Sequence, residues 1–257
     1  MLDLLFSQSP AVQLAVFSLH GLISLLFALI FMRALSAKAR DITALIPVGP
    51  SFASVTAIFS LLLAFHAAAI WSHRQQAERA FVQAQSAFLR FDDLVSPNGL
   101  DAPGVRAALH EYVEHAVEDE WLALGNKRMS ETAERAFLDL ETTLLRHQLS
   151  QPESTQAQLN TLLNDIARSR AERLWIGEHH TDGYVWLSVL LIGLISHFAI
   201  AAIHLDRPRA GALMLSLFAA TTTIAYWSLG VMADPYRDSS RLNPEVLVTF
   251  KVDVPEE

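Results

Sequence analysis

Four long stretches of the sequence contain no Asp, Glu, Lys or Arg; they are residues 4–32, 42–73, 183–205 and 210–233. A helix needs about 20 apolar residues to cross the roughly 30 Å hydrocarbon core of a bilayer, because it rises about 1.5 Å per residue. A helix also satisfies its own backbone hydrogen bonds in that environment. The sequence therefore predicts a multi-pass membrane protein with four transmembrane helices.

Most of the charged residues are concentrated in one region, between Arg74 and Asp182. Apolar residues in that region recur with the spacing of helices, as at Val105, Leu109 and Tyr112, and no alternating strand pattern occurs. The sequence thus predicts an all-α membrane protein with an all-helical soluble domain inserted between spans two and three. The predicted regions are 1–71 for the first two transmembrane helices, 72–181 for a helical extramembrane domain continuous with span two, 182–233 for a hairpin of transmembrane helices three and four, and 234–257 for a C-terminal tail.

Residues that start or stop helices refine these regions. Ser51 and Ser130 are predicted N-caps, because a hydroxyl oxygen accepts a hydrogen bond from the first turn of a helix. No helix breaker lies between Trp71 and Asp93, so span two is predicted to continue as one long helix beyond the membrane. Residues 206–209 form so short a connection that spans three and four are predicted to be an antiparallel hairpin.

Composition excludes several classes of function. The formal net charge is -8 and no clustered basic surface is present to contact a phosphate backbone, so nucleic acid is not a predicted partner. The chain has no cysteine, which excludes disulfides, thiolate metal sites and cysteine nucleophiles. The sequence has no glycine-rich phosphate loop and no nucleophile elbow. We therefore predict neither an enzyme nor a protein that uses a cofactor or a metal.

Two groups of histidines are considered as possible metal ligands. His110 and His115 are five residues apart, about 140° around a helix, whereas a zinc-protease helix places two histidines four residues apart on one face. The acidic residues beside them are predicted to form a solvated face; they are Glu114, Glu118, Asp119 and Glu120. His179 and His180 are predicted to lie where a helix meets the membrane surface, and a structural role is favoured there over a metal.

Span two carries a periodic stripe of side chains. Every seventh residue is aromatic or a histidine, at Phe52, Phe59, His66 and His73. Residues at that spacing lie close to one line along a helix. A histidine inside a span is a functional candidate, because a charge there is costly and a neutral ring still needs hydrogen-bond partners. Two interpretations remain open: the stripe lines a path through the membrane, or its aromatic rings pack between helices and His66 bonds a neighbouring side chain.

The loops give a prediction for orientation. No Lys or Arg precedes span one, whereas Arg33, Lys38 and Arg40 follow it, and Arg207 and Arg209 lie between spans three and four. The positive-inside rule places both short loops in the cytoplasm. The helical domain and both termini are then predicted to lie outside the cytoplasm.

Several segments resemble a widespread bacterial family of membrane proteins described as bestrophin-like. They are residues 70–94, 112–121, 168–174, 234–238 and 241–245, which together follow the family's order over nearly the whole chain. The residues that carry the resemblance are Trp71, Ala77, Glu78, Asp119, Glu120, Trp121, Arg173, Asp234, Pro235, Tyr236 and Pro244.

The resemblance implies a fold and a function. Bestrophins have four spans and a helical domain continuous with span two, and they assemble as pentameric ion channels whose second helices line the pore. By this likeness the chain is expected to form a homo-oligomeric ring, a pentamer, in the bacterial inner membrane, with lipid and inorganic ions as its other partners. The residues expected to line the pore are Phe52, Thr56, Phe59, Leu63, His66, Ile70 and His73.

Two departures from bestrophins bear on this expectation. Bestrophins follow span four with an acidic run that holds calcium, whereas residues 237–241 mix acidic and basic side chains, so calcium gating is not expected. Bestrophins also keep their helical domain in the cytoplasm, against the charge pattern of this chain. The alternative function is a non-conducting membrane scaffold or sensor whose helical domain recruits a protein partner.

Overall fold

The computed structural model describes residues 5–36, 48–179, 183–236 and 242–247, and every regular element within them is a helix. The elements are α1 (Pro10–Ser36), α2 (Val48–Val95), α3 (Pro103–His115), a π-helix (Ala116–Ala123), α4 (Glu131–Gln148), α5 (Glu153–Glu178), α6 (Gly183–Ile203), α7 (Pro208–Met232) and a 3-10 turn (Pro244–Leu247). The predicted all-α class is confirmed.

Four helical segments are long and apolar enough to cross a membrane. They are α1, the first part of α2, α6 and α7. The prediction of a multi-pass membrane protein rested on the same property of the sequence, the length of its charge-free stretches.

The helix ends test the capping predictions. Ser130 caps α4 as expected, since its side chain accepts hydrogen bonds from the backbone nitrogens of Thr132 and Ala133. Ser51 is not an N-cap, because α2 already begins at Val48. Two other predictions, on Lys38 and His180, concern positions outside the described residues.

The chain divides into two compact units. We call residues 1–72 and 181–234 the apolar unit, and residues 73–180 and 235–257 the polar unit. The apolar unit contains α1, the first half of α2, α6 and α7. The polar unit contains the rest of α2, α3, the π-helix, α4, α5 and the 3-10 turn.

In the apolar unit α1 packs on α6 and α7, which pack on each other. The core of this unit is aromatic: Trp186 lies 4.9 Å from Phe6 and 5.8 Å from Phe17, measured between ring centroids. α6 and α7 approach closely at Gly193, where a Cβ atom would overlap the hydroxyl of Tyr226. Small residues at helix contacts are the usual means of close packing in membranes.

In the polar unit the core is formed by α2, α3, the π-helix, α4 and α5. Its centre contains large buried side chains such as Phe91, Tyr112, Trp121 and Leu140. The turn after the π-helix places Gly125 and Asn126 at positive φ, and Gly177 of α5 packs against the backbone of Asn126, where a Cβ would not fit.

Candidate functional site

The stripe predicted on span two lies on the inner side of α2. Phe59, His66 and Ile70 are buried within the apolar unit. The ring of His66 meets Trp186 edge-on at 4.6 Å, and Phe59 meets Phe218 at 5.8 Å. In this structure these three side chains pack between helices of one chain, as the second interpretation expects of the aromatic rings, and which residues line the pore stays a prediction.

The other members of the stripe are half-buried. Thr56 donates its hydroxyl hydrogen to the carbonyl oxygen of Phe52 at 3.0 Å, so its side chain is engaged within its own helix. His73, in the polar unit, stacks on Trp175 with 6.3 Å between ring centroids. The predicted stripe therefore runs from buried to partly covered positions along one side of α2.

The opposite side of α2 is uncovered. Ile58, Leu61 and Phe65 are 57%, 57% and 65% exposed. Apart from Trp71, the remaining exposed residues of this part of α2 are small: Ala53, Ser54, Ala57, Ser60, Ala64, Ala68, Ala69 and Ser72. This outer face of α2 thus combines three large apolar side chains with alanine and serine.

The outer face of α1 has a different composition. Its exposed residues between positions 12 and 30 are nearly all large and apolar: Val12, Leu14, Ala15, Val16, Leu19, Leu22, Ile23, Leu26, Phe27 and Ile30. Large aliphatic side chains suit contact with lipid chains, whereas small and hydroxyl-bearing residues are enriched where membrane helices meet other helices. The two outer faces are therefore suited to different neighbours.

The polar unit contains a buried cluster of charges centred on Glu120. This residue lies on the π-helix and its side chain is fully buried. One carboxylate oxygen accepts from Arg170 Nη2 at 2.6 Å, and the other accepts from Arg173 Nη2 at 2.8 Å. The backbone nitrogen of Ser130 adds a third donor at 3.3 Å. Glu120 thereby joins the π-helix to α5 and to the start of α4.

Aromatic rings enclose the two arginines of this cluster. Arg170 lies 5.9 Å from the ring centre of Tyr112, and it also binds Glu134 of α4 at 2.5 Å. Arg173 lies 5.4 Å from the ring centre of Trp121. A guanidinium can stack on aromatic faces while its nitrogens bind carboxylates, so each arginine is held from two directions.

Burial and charge set the ionisation states here. Burial raises the pKa of the Tyr112 hydroxyl to about 12, although the nearby Arg173 and Arg170 lower it. Burial alone would lower the pKa of Arg170, but the hydrogen bonds and charge of Glu120 outweigh this and raise it. Tyr112 is therefore neutral and Arg170 charged throughout the physiological range.

The segment after α7 packs on the same cluster. Tyr236 is buried and meets Trp121 edge-on at 5.1 Å. Four residues of the family resemblance, which are far apart in the sequence, therefore form one contiguous group: Glu120, Trp121, Arg173 and Tyr236. Nothing in the group presents a nucleophile or a general base to an open pocket, so its geometry is that of a positioning element.

The remaining residues of the resemblance lie elsewhere. Asp119 is half-buried, and the hydroxyl of Thr132 donates to its carboxylate. Glu78 is an exposed partner of Arg74 at 3.5 Å. Ala77 and Pro244 are buried in the polar unit, Asp234 and Pro235 are buried at the end of α7, and Trp71 is exposed on α2.

The prediction of a solvated acidic face is wrong for Glu120. The face is solvated at Glu118, half-covered at Glu114 and Asp119, and fully buried at Glu120. Glu120 continues the four-residue spacing of the buried Tyr112 and Ala116, so its position in the helical repeat is the signal that predicts burial. The wider turn of the π-helix then brings the adjacent Trp121 into the core as well.

A second charged group was also missed at the sequence level. Asp92 of α2 accepts two hydrogen bonds from Arg106 of α3, at 2.8 and 2.9 Å, and lies 2.8 Å from His110 Nε2. His115 instead lies 3.0 Å from Asp119. The two histidines that were weighed against a zinc site thus serve different carboxylates, which agrees with the rejection of that motif.

Comparison with known proteins identifies a family and several similar structures. The sequence matches the Bestrophin-like domain family over residues 15–247. A variant of a bacterial bestrophin homologue from Klebsiella pneumoniae has a similar structure, with a TM-score of 0.62 and 13% identity over 90% of this chain and 97% of that chain. A second variant of that homologue gives a TM-score of 0.65 and 15% identity over 92% and 98% of the two chains. A third structure, described only as a membrane protein, gives 0.65 and 13% over 93% and 95%. No curated protein matches the sequence.

Proposed function

The chain belongs to the bestrophin-like family, and from that premise we propose that it forms a ring of identical subunits that conducts ions across the membrane. A single chain has too few spans to enclose an aqueous path. Cyclic assembly of several copies supplies the missing wall. The ring is proposed to be a pentamer, by analogy with bestrophins.

The observation that carries the proposal is the difference between the outer faces of α1 and α2. α2 offers alanine and serine between isolated large side chains, whereas α1 offers a nearly continuous aliphatic surface. We assign the outer face of α1 to lipid. We assign the outer face of α2 to the central axis of the ring, because its serines can solvate an ion and its large apolar side chains can form a constriction. This choice moves the proposed pore wall away from Phe59, His66 and Ile70, which lie inside the single chain.

Three side chains on the new face form the proposed constriction. Ile58, Leu61 and Phe65 follow one another at intervals of three and four residues, so they form one stripe facing the axis. A ring of apolar side chains gates by excluding water when it is narrow, and it conducts when it widens. The serines on the same face would solvate an ion on either side of the constriction.

A matched pair of phenylalanines tests which face lines the pore. Phe65 is exposed and Phe59 is buried, and they lie about 120° apart around the same helix. In reconstituted bilayers Phe65→Ala is expected to widen the constriction and raise the single-channel current severalfold. Phe59→Ala is expected to leave the current unchanged and to lower the temperature of unfolding, because it leaves a cavity beside Phe218.

The reverse result, a changed current for Phe59→Ala and none for Phe65→Ala, would return the pore wall to the predicted stripe. His66→Ala is a further control: a buried His66 leaves the pH dependence of the current unaltered. A monodisperse monomer in mild detergent, or no current from any variant, would favour the scaffold instead.

The orientation is proposed from the charge pattern, with the polar unit outside the cytoplasm. The absence of cysteine allows single-cysteine labelling without background. A cysteine at Asn98 is expected to react with an impermeant maleimide applied from outside, and one at Lys38 is expected to remain unlabelled. Labelling at Lys38 from outside would contradict this orientation and place the polar unit in the cytoplasm.

A further inference from the structure

The outer face of α4 carries an apolar stripe that the described part of the chain leaves uncovered. Leu138, Leu145 and Leu149 are 49%, 60% and 87% exposed. Leu138 and Leu145 lie on the side of α4 away from the buried Leu140 and Leu144, with Thr142 between them, and Leu149 directly follows the last residue of the helix. Their intervals of seven and four residues are those of a seam that packs against another helix.

The charges beside this stripe are arranged for pairing with a reversed copy of itself. Asp139 and Arg146 are exposed on the same flank, seven residues apart, and within the described residues neither forms an ion pair. Glu131 and Arg135, earlier on α4, pair with each other at 3.3 Å. Asp139 and Arg146 therefore remain available to a partner.

We propose that two copies of this protein associate through an antiparallel contact between their α4 helices, centred on Thr142. With a two-fold axis at Thr142, Leu138 of each copy lies within one residue, about 1.5 Å along the helix, of the level of Leu145 of the other. The same axis places Asp139 of each copy within one residue of the level of Arg146 of the other, which allows two identical ion pairs. An isologous contact needs a self-complementary surface of this kind.

A parallel pair of α4 helices and a lipid surface both fit this stripe less well. A parallel pair would place the two charged flanks on opposite sides of the contact, so Asp139 and Arg146 would not meet each other across it. A lipid surface is recognised by a flank rich in basic residues, whereas this flank carries one charge of each sign. A ring of five subunits contains no two-fold contact, so this contact joins subunits of different rings.

Disulfide cross-linking of the full-length protein tests the two-fold axis. Thr142→Cys is expected to give disulfide-linked dimers under mild oxidation, because a residue on the axis meets its own copy. Thr161→Cys is the matched control. Both threonines are exposed and both donate their hydroxyl to the carbonyl four residues earlier, at 2.8 Å, but Thr161 lies on α5. Cross-linking of Thr142→Cys no faster than of Thr161→Cys would overturn the proposal.

A charge exchange on the Thr142→Cys background tests the pairing. Asp139→Arg alone, or Arg146→Asp alone, is expected to slow cross-linking about three- to tenfold, because each replaces two attractive pairs by two repulsive ones. The double exchange Asp139→Arg with Arg146→Asp is expected to restore the rate. Slow cross-linking that the double exchange fails to restore would show that these residues do not face each other. The readout is a denaturing gel, so it remains informative whether or not the protein conducts ions.

Discussion

The two units bury polar side chains in different ways. In the apolar unit, Ser196, His197 and Thr222 each donate to a carbonyl oxygen four residues earlier in their own helix, at 2.8 to 2.9 Å. In the polar unit, Glu120 and Arg170 are charged and join different helices. The apolar unit also has neutral hydrogen bonds between helices, such as that from the Tyr226 hydroxyl to the carbonyl oxygen of Val189 at 3.3 Å. The polar unit connects its helices through buried charges instead.

The difference follows from the surroundings. A charge is expensive in a bilayer, so helices there are joined by close packing, as at Gly193, and neutral groups satisfy themselves locally. In water-facing domains a buried charge is tolerated when every oxygen is paired. Substitutions that remove a charge should therefore damage the polar unit, and substitutions that add volume should damage the apolar unit.

The largest effect is expected at Glu120. Glu120→Ala leaves Arg170 and Arg173 buried without their shared carboxylate, which costs about 3 to 5 kcal/mol. For a chain of this size that corresponds to a fall of roughly 6 to 20 °C in the midpoint of thermal unfolding. Glu131→Ala, at the exposed pair with Arg135, is the control. An unchanged midpoint for Glu120→Ala would mean that the cluster does not stabilise the polar unit.

A smaller loss is expected from added volume in the apolar unit. Gly193→Ala places a methyl group against the hydroxyl of Tyr226, and the helices must separate to admit it. Such overpacking costs about 1 to 3 kcal/mol. Gly104→Ala in α3 meets nothing within 4 Å and should be neutral or stabilising. Thermal unfolding in detergent measures the midpoints of both variants. Equal midpoints for Gly193→Ala and Gly104→Ala would contradict close packing at Gly193.

Low pH should lower the stability of the polar unit, because the Asp92 carboxylate becomes protonated. Burial alone would raise the pKa of this carboxyl, but the hydrogen bonds from Arg106 and His110 outweigh it and hold the pKa below its usual value of 3.8. A lowered carboxyl pKa contributes stability above the unfolded pKa of about 3.9, and that stability is lost as pH falls through the folded pKa. Asp92→Asn should cost about 1 to 2 kcal/mol near pH 7 and progressively less below about pH 4. If the difference in unfolding free energy between the wild-type protein and Asp92→Asn did not change with pH, this role of the ionised Asp92 would be excluded.

The smallest effect is expected at the pair between Glu131 and Arg135. Both side chains are largely exposed, so the pair contributes about 0 to 0.5 kcal/mol. Glu131→Gln should change the midpoint of thermal unfolding by no more than about 2 °C. A loss comparable with that of Glu120→Ala would mean that burial does not decide which charges matter in this unit.

The sequence predicted the parts of the fold that depend on composition. Long charge-free stretches identified the spans, and Ser130 identified the start of α4. The orientation of α2 is harder to predict, because two faces of one helix share the same seven-residue period. Phe52, Phe59, His66 and His73 form one stripe, and Ser54, Leu61 and Ala68 form another. Which stripe faces inward depends on the packing of α6 and α7.

The candidate site was predictable in its residues but not in its contacts. The resemblance singled out Glu120, Trp121, Arg173 and Tyr236, yet their meeting point depends on distant parts of the chain. Arg170 had a local signal, since it follows Leu162 and Ile166 on the core side of α5. The π-helix had no such signal, because nothing in the spacing of residues 112–123 distinguishes i→i+5 from i→i+4 bonds.

The π-helix also limits how the length of this chain can change. Its i→i+5 bonds enclose one more residue than an α-helical turn does. Deleting one residue between Ala116 and Asp119 would let α-helical i→i+4 bonds replace the i→i+5 bonds, and Glu120 and Trp121 would shift relative to α3. Glu120 and Trp121 would then leave their partners together. Loops elsewhere in the polar unit can absorb a gained or lost residue, whereas this segment should keep a fixed length in proteins that retain the cluster.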